Sequence, residues 1–286
     1  MRERTLGTLL IAAAACLWGT WPLYTHGSRA SGLAIGFVTL AVMSLPAPFA
    51  LRRPPFADRG AVWALVIVGL ADAANVVLYF SALSRGPVVI AVLTHYLAPG
   101  LVGLLAPLTL GEPRSRRALI ATPVVLVGLA LVLGPAGPVD TWLTTALLGA
   151  GSAIFYATLV LASRRAARAF TPVAVTSLHS VVSIAALALV FRAEVLPPDW
   201  QATAPIIIAA LVNGLLAALM FNRALVLVGA QRVGLFTYLE PVTAAVIGVL
   251  VLDEPFGLAA AAGLLLVLGA GAWNALEPEP SAHRAG

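Results

Sequence analysis

The chain has 286 residues, of which 60% are apolar and only 10% charged, with seventeen basic and twelve acidic side chains. An ordinary soluble domain is about 45–50% apolar and about 25% charged, so these charges are too few to cover a wetted surface, and a soluble enzyme or binding module is excluded. The same numbers exclude disorder, which needs low hydrophobicity and high charge. All seventeen bases are Arg and the pI is about 10.1. They come as short clusters between apolar runs, a pattern that points to a membrane and not to nucleic acid.

A helix needs about 20 apolar residues to cross the hydrocarbon core, and the runs do not alternate as barrel strands would. In chain order the apolar segments predict ten helices, near 5–25, 32–51, 60–83, 87–110, 117–134, 142–163, 172–191, 203–222, 232–252 and 257–276. Arg2 and Arg4 followed by the apolar stretch 6–15 look like the start of a signal peptide. The run continues through Trp18, Trp21 and Leu23 without a small-residue cleavage site, which predicts a retained first helix. The single cysteine, Cys16, excludes an internal disulfide and a cysteine zinc site, and reads as a small buried apolar side chain. Residues 277–286, with Pro278 and Pro280, read as a disordered cytoplasmic tail.

With the N-terminus in the cytoplasm, fourteen Arg fall on the inner side: residues 2, 4, 52, 53, 59, 114, 116, 117, 164, 165, 168, 223, 232 and 284. Arg29, Arg85 and Arg192 fall outside. Inner loops of membrane proteins carry the excess of Arg and Lys, so the bias predicts a multi-pass protein of the plasma or inner membrane with both termini cytoplasmic.

Sliding the chain by 142 residues places Tyr96-Leu97-x-Pro99 on Tyr238-Leu239-x-Pro241 and Gly111-Glu112-Pro113 on Asp253-Glu254-Pro255. Over 79–113 the match has ten identities in 35 ungapped positions. A repeat of five helices is odd in number, so the second copy must lie upside down relative to the first. The expected fold is therefore an all-α integral membrane protein, ten transmembrane helices in two inverted five-helix repeats, 5–134 and 142–276, an architecture common among secondary transporters.

Leu17-Trp18-Gly19, the two Tyr-Leu-x-Pro segments and the Gly-Glu-Pro and Asp-Glu-Pro ends resemble the EamA-type transporters of the drug/metabolite transporter superfamily. The resemblance covers nearly the whole chain. It implies a cavity lined by the first four helices of each repeat, with the fifth and tenth helices outside it for packing or dimer contacts, and export of small metabolites such as amino acids. The second copy departs from the pattern, with Ile154-Phe155-Tyr156-Ala157 where a Trp-Gly pair would stand.

An ionisable side chain in mid-membrane is costly and should be partnered and inward-facing. Two acids lie at such depth, Asp72 and Glu240. Asp72, Asn75 and Tyr79 share a stripe about 60° wide on the third helix. Glu240 precedes Pro241, which is expected to kink the ninth helix as Pro99 kinks the fourth, with Ala98 in place of the acid. His95 and Tyr96 precede the first kink; His179 lies with Thr176, Ser180 and Ser183 on one side of the seventh helix. Trp18, Tyr156, Asn213 and Tyr238 complete the candidates for a substrate pathway. Each has a structural alternative: packing for the His and Asn residues, and a membrane-interface role for the aromatics. Trp142, Trp200 and Trp273, at helix ends, read as interface residues, and Glu112 and Glu254 as turn or capping residues.

The expected activity is secondary transport of a small organic solute, outward, by alternating access, with protons as a candidate coupling ion. No cofactor or metal is expected, and monomer and homodimer both remain open. The aromatic, acidic candidate set favours cationic or zwitterionic solutes, although Arg223 and Arg232 near the inner ends would suit anions. An intramembrane enzyme or a receptor is the alternative, but no phosphate loop, H-E-x-x-H or G-x-S-x-G occurs. The Arg asymmetry predicts that a fluorescent reporter that folds only in the cytoplasm will fluoresce at either terminus. A phosphatase that works only outside is expected to be active when fused after Arg29 or Arg85, and inactive after Arg116.

Overall fold

Among the described residues every regular element is a helix. The computed structural model describes residues 2–25, 29–51, 58–85, 88–133, 142–252 and 257–275. Glu254, Arg52, Arg53, Arg284 and the 277–286 tail lie outside them. The helices are α1 (Arg2–Trp18), α2 (Pro22–Thr25), α3 (Gly32–Ser44), α4 (Ala47–Ala50), α5 (Arg59–Arg85), α6 (Val88–His95), α7 (Ala98–Thr109) and α8 (Arg116–Leu133). There follow α9 (Trp142–Ala166), α10 (Pro172–Phe191), α11 (Trp200–Ala209), α12 (Ala217–Val228), α13 (Ala230–Phe236), α14 (Leu239–Val251) and α15 (Leu258–Ala275). A 3-10 turn, Arg192–Val195, follows α10, and a π turn, Ala210–Leu216, joins α11 to α12 without a break.

Every one of the ten expected positions holds a helix. Eight are long and apolar enough to cross a membrane; Gly32–Ser44 and Leu258–Ala270 are apolar but shorter. This is a multi-pass membrane protein. The expected 5–25, 32–51, 87–110 and 232–252 helices are each interrupted once. α1 ends at Trp18, four residues before Pro22; α6 ends at His95, four before Pro99; α13 ends at Phe236, next to Thr237, four before Pro241. Proline lacks an N–H and its ring clashes with the carbonyl four residues back. The expected kinks are therefore breaks two to four residues ahead of Pro99 and Pro241, which themselves sit in the first turns of α7 and α14.

The helices pair across the chain. α1 packs on α12 and α5 on α9; α3 packs on α10; α8 packs on α15. Glycines set the closest approaches. A Cβ at Gly128 would lie 2.7 Å from the carbonyl oxygen of Gly263, and a Cβ at Gly263 would strike the carbonyl of Gly128 in turn. The small residues around Gly263 thus lie against α8, where Arg117 also reaches the Trp273 carbonyl at 3.1 Å and stacks on its ring. Gly32 and Gly36 of α3 lie against Phe80 and Val76 of α5. The core between α1, α9, α12 and α13 is built from Ile11, Val160, Phe221, Leu225 and Val233. Cys16 is not buried as expected: it stands on the exposed face of α1, because Ile11, Ala14 and Ala15 take the inner one.

At the ends expected to be cytoplasmic, Glu112 caps α13 from the α7–α8 loop. Its carboxylate accepts from Ala230 N at 2.8 Å and Gln231 N at 3.2 Å, and lies 3.4 Å from Arg164 Nε. Gln231 replies by donating from Nε2 to the Pro113 carbonyl at 2.6 Å. The carboxylate fits there only because residue 229 is glycine, with φ +80° and an added Cβ 2.9 Å from Glu112 Oε1. Gly229→Ala is expected to cost about 1–3 kcal/mol for the backbone alone and to lower the unfolding temperature in detergent. Gly103→Ala, where a Cβ meets nothing within 4 Å, is expected to cost nothing.

Candidate functional site

The helix breaks meet in the middle of the molecule. Tyr238 donates its hydroxyl to the Tyr96 carbonyl at 3.1 Å, and the two rings lie 6.0 Å apart. Carbonyls at the α1 and α13 ends also take hydroxyls: Leu17 O accepts from Thr20 Oγ1 at 2.7 Å, and Gly234 O from Thr237 Oγ1 at 2.6 Å. In lipid a backbone polar group has no water to turn to, so these internal partners are what lets three spans stop and restart.

Beside the breaks lies a cavity of about 720 Å³. Trp18, Asp72, Tyr79, Tyr96, Tyr156, His179, Asn213, Glu240 and Pro241 line it, so nine of the thirteen expected residues share one space. Asn75, His95, Tyr238 and Pro99 do not line it. Asn75 and His95 form its support: Ser152 donates to Asn75 Oδ1 at 2.8 Å and meets His95 Nδ1 at 2.7 Å. The His95 ring in turn packs 4.3 Å from Tyr79 and 5.5 Å from Tyr156, which fixes both phenols along the wall. Residues from the first four spans of each half contribute, as expected, together with Val132 and Leu133 from the end of α8.

Both deep acids face this cavity. Asp72, at the middle of α5, has Oδ2 3.3 Å from Nε2 of His179 on α10. His179 Nδ1 lies 2.6 Å from the Val175 carbonyl, a contact that requires the ring to donate there. Glu240 lies in the first turn of α14, at the positive end of the helix dipole, and it accepts the Tyr96 hydroxyl. Gly19 makes that geometry possible: a Cβ there would lie 2.6 Å from the Glu240 carbonyl oxygen and would also strike Thr243. Among the described residues no Arg lines the cavity. Arg223 is exposed on the outer face of α12 and Arg232 is not among the lining residues, so neither offers the cavity a positive charge.

Asn213 lies in the π turn. Its carbonyl oxygen accepts from Trp18 Nε1 at 2.7 Å, and its side chain meets Thr20 at 3.1 Å. Asn222, which donates to Thr176 Oγ1 at 2.9 Å, also lines the cavity. Sequence reading missed it for a definite reason. Nine residues of regular helix would put Asn222 opposite Asn213. The π turn absorbs one residue of that spacing and brings both amides to the same wall. Ser152 and Ser163 were missed although they were readable, since they recur with Tyr156 along one face of α9.

The EamA-like transporter family profile matches this chain twice, over residues 5–134 and 143–274. The chain belongs to that family. It is also similar to an uncharacterized transporter of Archaeoglobus fulgidus (strain ATCC 49558), at 26% identity over 265 residues, 92% of this chain and 93% of the other. A solved crystal structure superposes with a TM-score of 0.77 over 93% of this chain and 95% of its own, at 22% identity, which speaks for the fold alone. This EamA family member is thus a membrane transporter.

The close approach at Gly19 gives a direct check. Gly19→Ala is expected to push α1 off α14 at an overpacking cost of about 1–3 kcal/mol, read as a lower unfolding temperature in detergent. Cys16→Ala, three residues away on the exposed face, is expected to leave that temperature unchanged.

Proposed function

We propose that this family member is a secondary active transporter that exports small organic metabolites, such as amino acids and related amines, by alternating access, with protons as the coupling ion. The observation that carries the proposal is the cavity of about 720 Å³. It is wide enough for a small solute and holds two carboxylates, an aromatic wall and no Arg among the described lining residues.

The packing supports two inverted halves. Shifted by 142 residues, α8 (Arg116–Leu133) falls on α15 (Leu258–Ala275), and the α1–α12 pair falls on the α9–α5 pair. A two-fold relation would carry each of these contacts onto its counterpart. The lining reaches Pro22 and Leu133 at helix ends expected to face outward, while the Glu112, Gln231 and Arg164 ties close the opposite ends. Exchanging the conformations of the two halves would open the second side by parting those ties. Both termini lie in the cytoplasm in this reading.

Purified protein in sealed proteoliposomes tests it. A pH gradient is expected to drive solute accumulation against its own gradient. Asp72→Asn or Glu240→Gln is expected to abolish the pH-driven component while solute exchange persists. Unchanged pH dependence in both variants would overturn proton coupling; chemical turnover without flux would overturn transport. Growth of an overexpressing strain on toxic amino acids and amines reads the direction, with resistance expected for an exporter.

A further inference from the structure

The cavity ends on a thin floor. Its lining runs from Trp21, Pro22 and Leu133, at helix ends expected to face outward, to Ser163 of α9 and Asn222 of α12. Asn222 donates to Thr176 Oγ1 of α10 at 2.9 Å and joins two of the floor helices. Beyond these residues α9 runs on for three positions, to Ala166, and α12 for six, to Val228, which is about one to two helical turns. One layer of polar contacts fills that depth. Arg164 follows Ser163 directly and donates to the Val226 carbonyl, one turn past Asn222, at 3.3 Å. Its Nε lies 3.4 Å from the Glu112 carboxylate.

The layer is built from bonds that cross between the two halves of the chain. In the α7–α8 loop, Glu112 accepts from Ala230 N at 2.8 Å and Gln231 N at 3.2 Å. The Pro113 carbonyl accepts from Gln231 Nε2 at 2.6 Å, and Ser115 N donates to Gln231 Oε1 at 3.2 Å. The Leu110 carbonyl accepts from Arg168 at 3.3 Å. Glu112 stands at the centre, because its one carboxylate meets both α9 and the start of α13. The cross-half bond from Tyr238 to the Tyr96 carbonyl lies in mid-membrane, where parting would leave groups with no water to turn to. The Glu112 layer lies at the water boundary, where bonds given up are replaced by bonds to water at small net cost. The halves can therefore separate at this layer while they stay joined at the breaks. The layer is not repeated at the opposite end: shifted by 142 positions, Arg164 and Gln231 fall on Pro22 and Val89. The outer cross-half pair, Arg29–Asp199, has side chains 64% and 37% exposed, so water screens it.

We propose that Glu112 is the latch of an inner gate: its carboxylate holds the α7–α8 loop against α9 and α13 and so keeps the cavity floor shut. The inference rests on the reading of two halves that exchange conformation, and adds the residue that sets the balance between their two states. Arg164 and Gln231 are positioning residues, one drawing the carboxylate to α9 and the other clamping the loop on either side of it. Release frees Ala230 N, Gln231 N and the Arg164 guanidinium together, and each meets water as the layer parts. The outer end has no counterpart of the Arg and Gln, so the empty protein rests with the inner end closed and the outer end open.

Side-specific labelling tests this without any flux. The reporter is Ser163→Cys, at the cavity floor, in a Cys16→Ala background that removes the one native cysteine. A charged methanethiosulfonate that cannot cross membranes is applied to spheroplasts for the outer side and to inverted vesicles for the cytoplasmic side. With Glu112 in place, labelling is expected to be much faster from outside. Glu112→Ala is expected to raise the cytoplasmic rate by about tenfold or more, as the loss of charge-assisted hydrogen bonds implies. Gln231→Leu, which keeps the carboxylate but removes the clamp, is expected to raise it less, and decides the matter if Glu112→Ala does not fold. Arg29→Ala is expected to leave the cytoplasmic rate unchanged. A folded Glu112→Ala protein, judged by its unfolding temperature in detergent, that labels from the cytoplasm at the parent rate overturns the proposal. So does a parent protein that labels as fast from the cytoplasm as from outside. The expected labelling pattern in a protein that moves no solute would instead count against the transport reading alone.

Discussion

The structure depends on one constraint: in lipid, a backbone group freed from its helix must be met by the protein itself. Prolines at 22, 99 and 241 end three spans ahead of themselves, and each end exposes carbonyls at the depth where water is absent. Thr20, Thr237 and Tyr238 answer them. The last of these bonds joins a carbonyl at position 96 to a hydroxyl at 238, so the second half of the chain completes a broken span of the first. Pro107 and Pro123 show that proline alone does not decide the matter. Both sit inside helices that run on through them.

The breaks in turn create the cavity. A continuous helix has no N-terminus in mid-membrane; α14 has one, and Glu240 lies in its first turn. At the end of α1, Trp18 donates to the Asn213 carbonyl and the turn begins at Gly19. Glycine is required there by the nearness of the Glu240 backbone, which gives a physical reason for the Trp-Gly pair that marked the first span. The support behind the wall is equally specific: Asn75, Ser152 and His95 form one hydrogen-bonded chain that holds Tyr79 and Tyr156 without touching solute space.

Much of this was legible before any coordinates. Apolar run lengths located the eight helices long enough to cross a membrane, and the cost of a charge in lipid singled out Asp72 and Glu240. The Tyr-Leu-x-Pro register pointed to the two breaks that touch. What stayed hidden was what periodicity cannot carry. The π turn changes the phase of α12 and brings Asn222 round to Asn213. Cys16 reads as one more apolar residue, and only the packing of Ile11 and Ala15 shows which face of α1 points in. The Asp72–His179 contact joins positions 107 apart on different spans, and no local pattern encodes it. Glu112 was expected to cap a helix; that the helix is α13, 118 residues away, required the fold.

The asymmetry between the two breaks is the least symmetric feature of the molecule and the most informative. Backbone and aromatic residues match across 142 positions, yet Ala98 stands where Glu240 would repeat. Ala98 is only 1% exposed, packed beside α13, and a carboxylate there would be desolvated without a partner, at a cost of several kcal/mol. Glu240 faces the cavity and has the Tyr96 hydroxyl from the opposite break. One acid at the paired breaks is therefore the arrangement that the packing permits. The second acid of the site, Asp72, comes from a different helix, α5, and has a partner of its own, His179 of α10, with Nε2 at 3.3 Å.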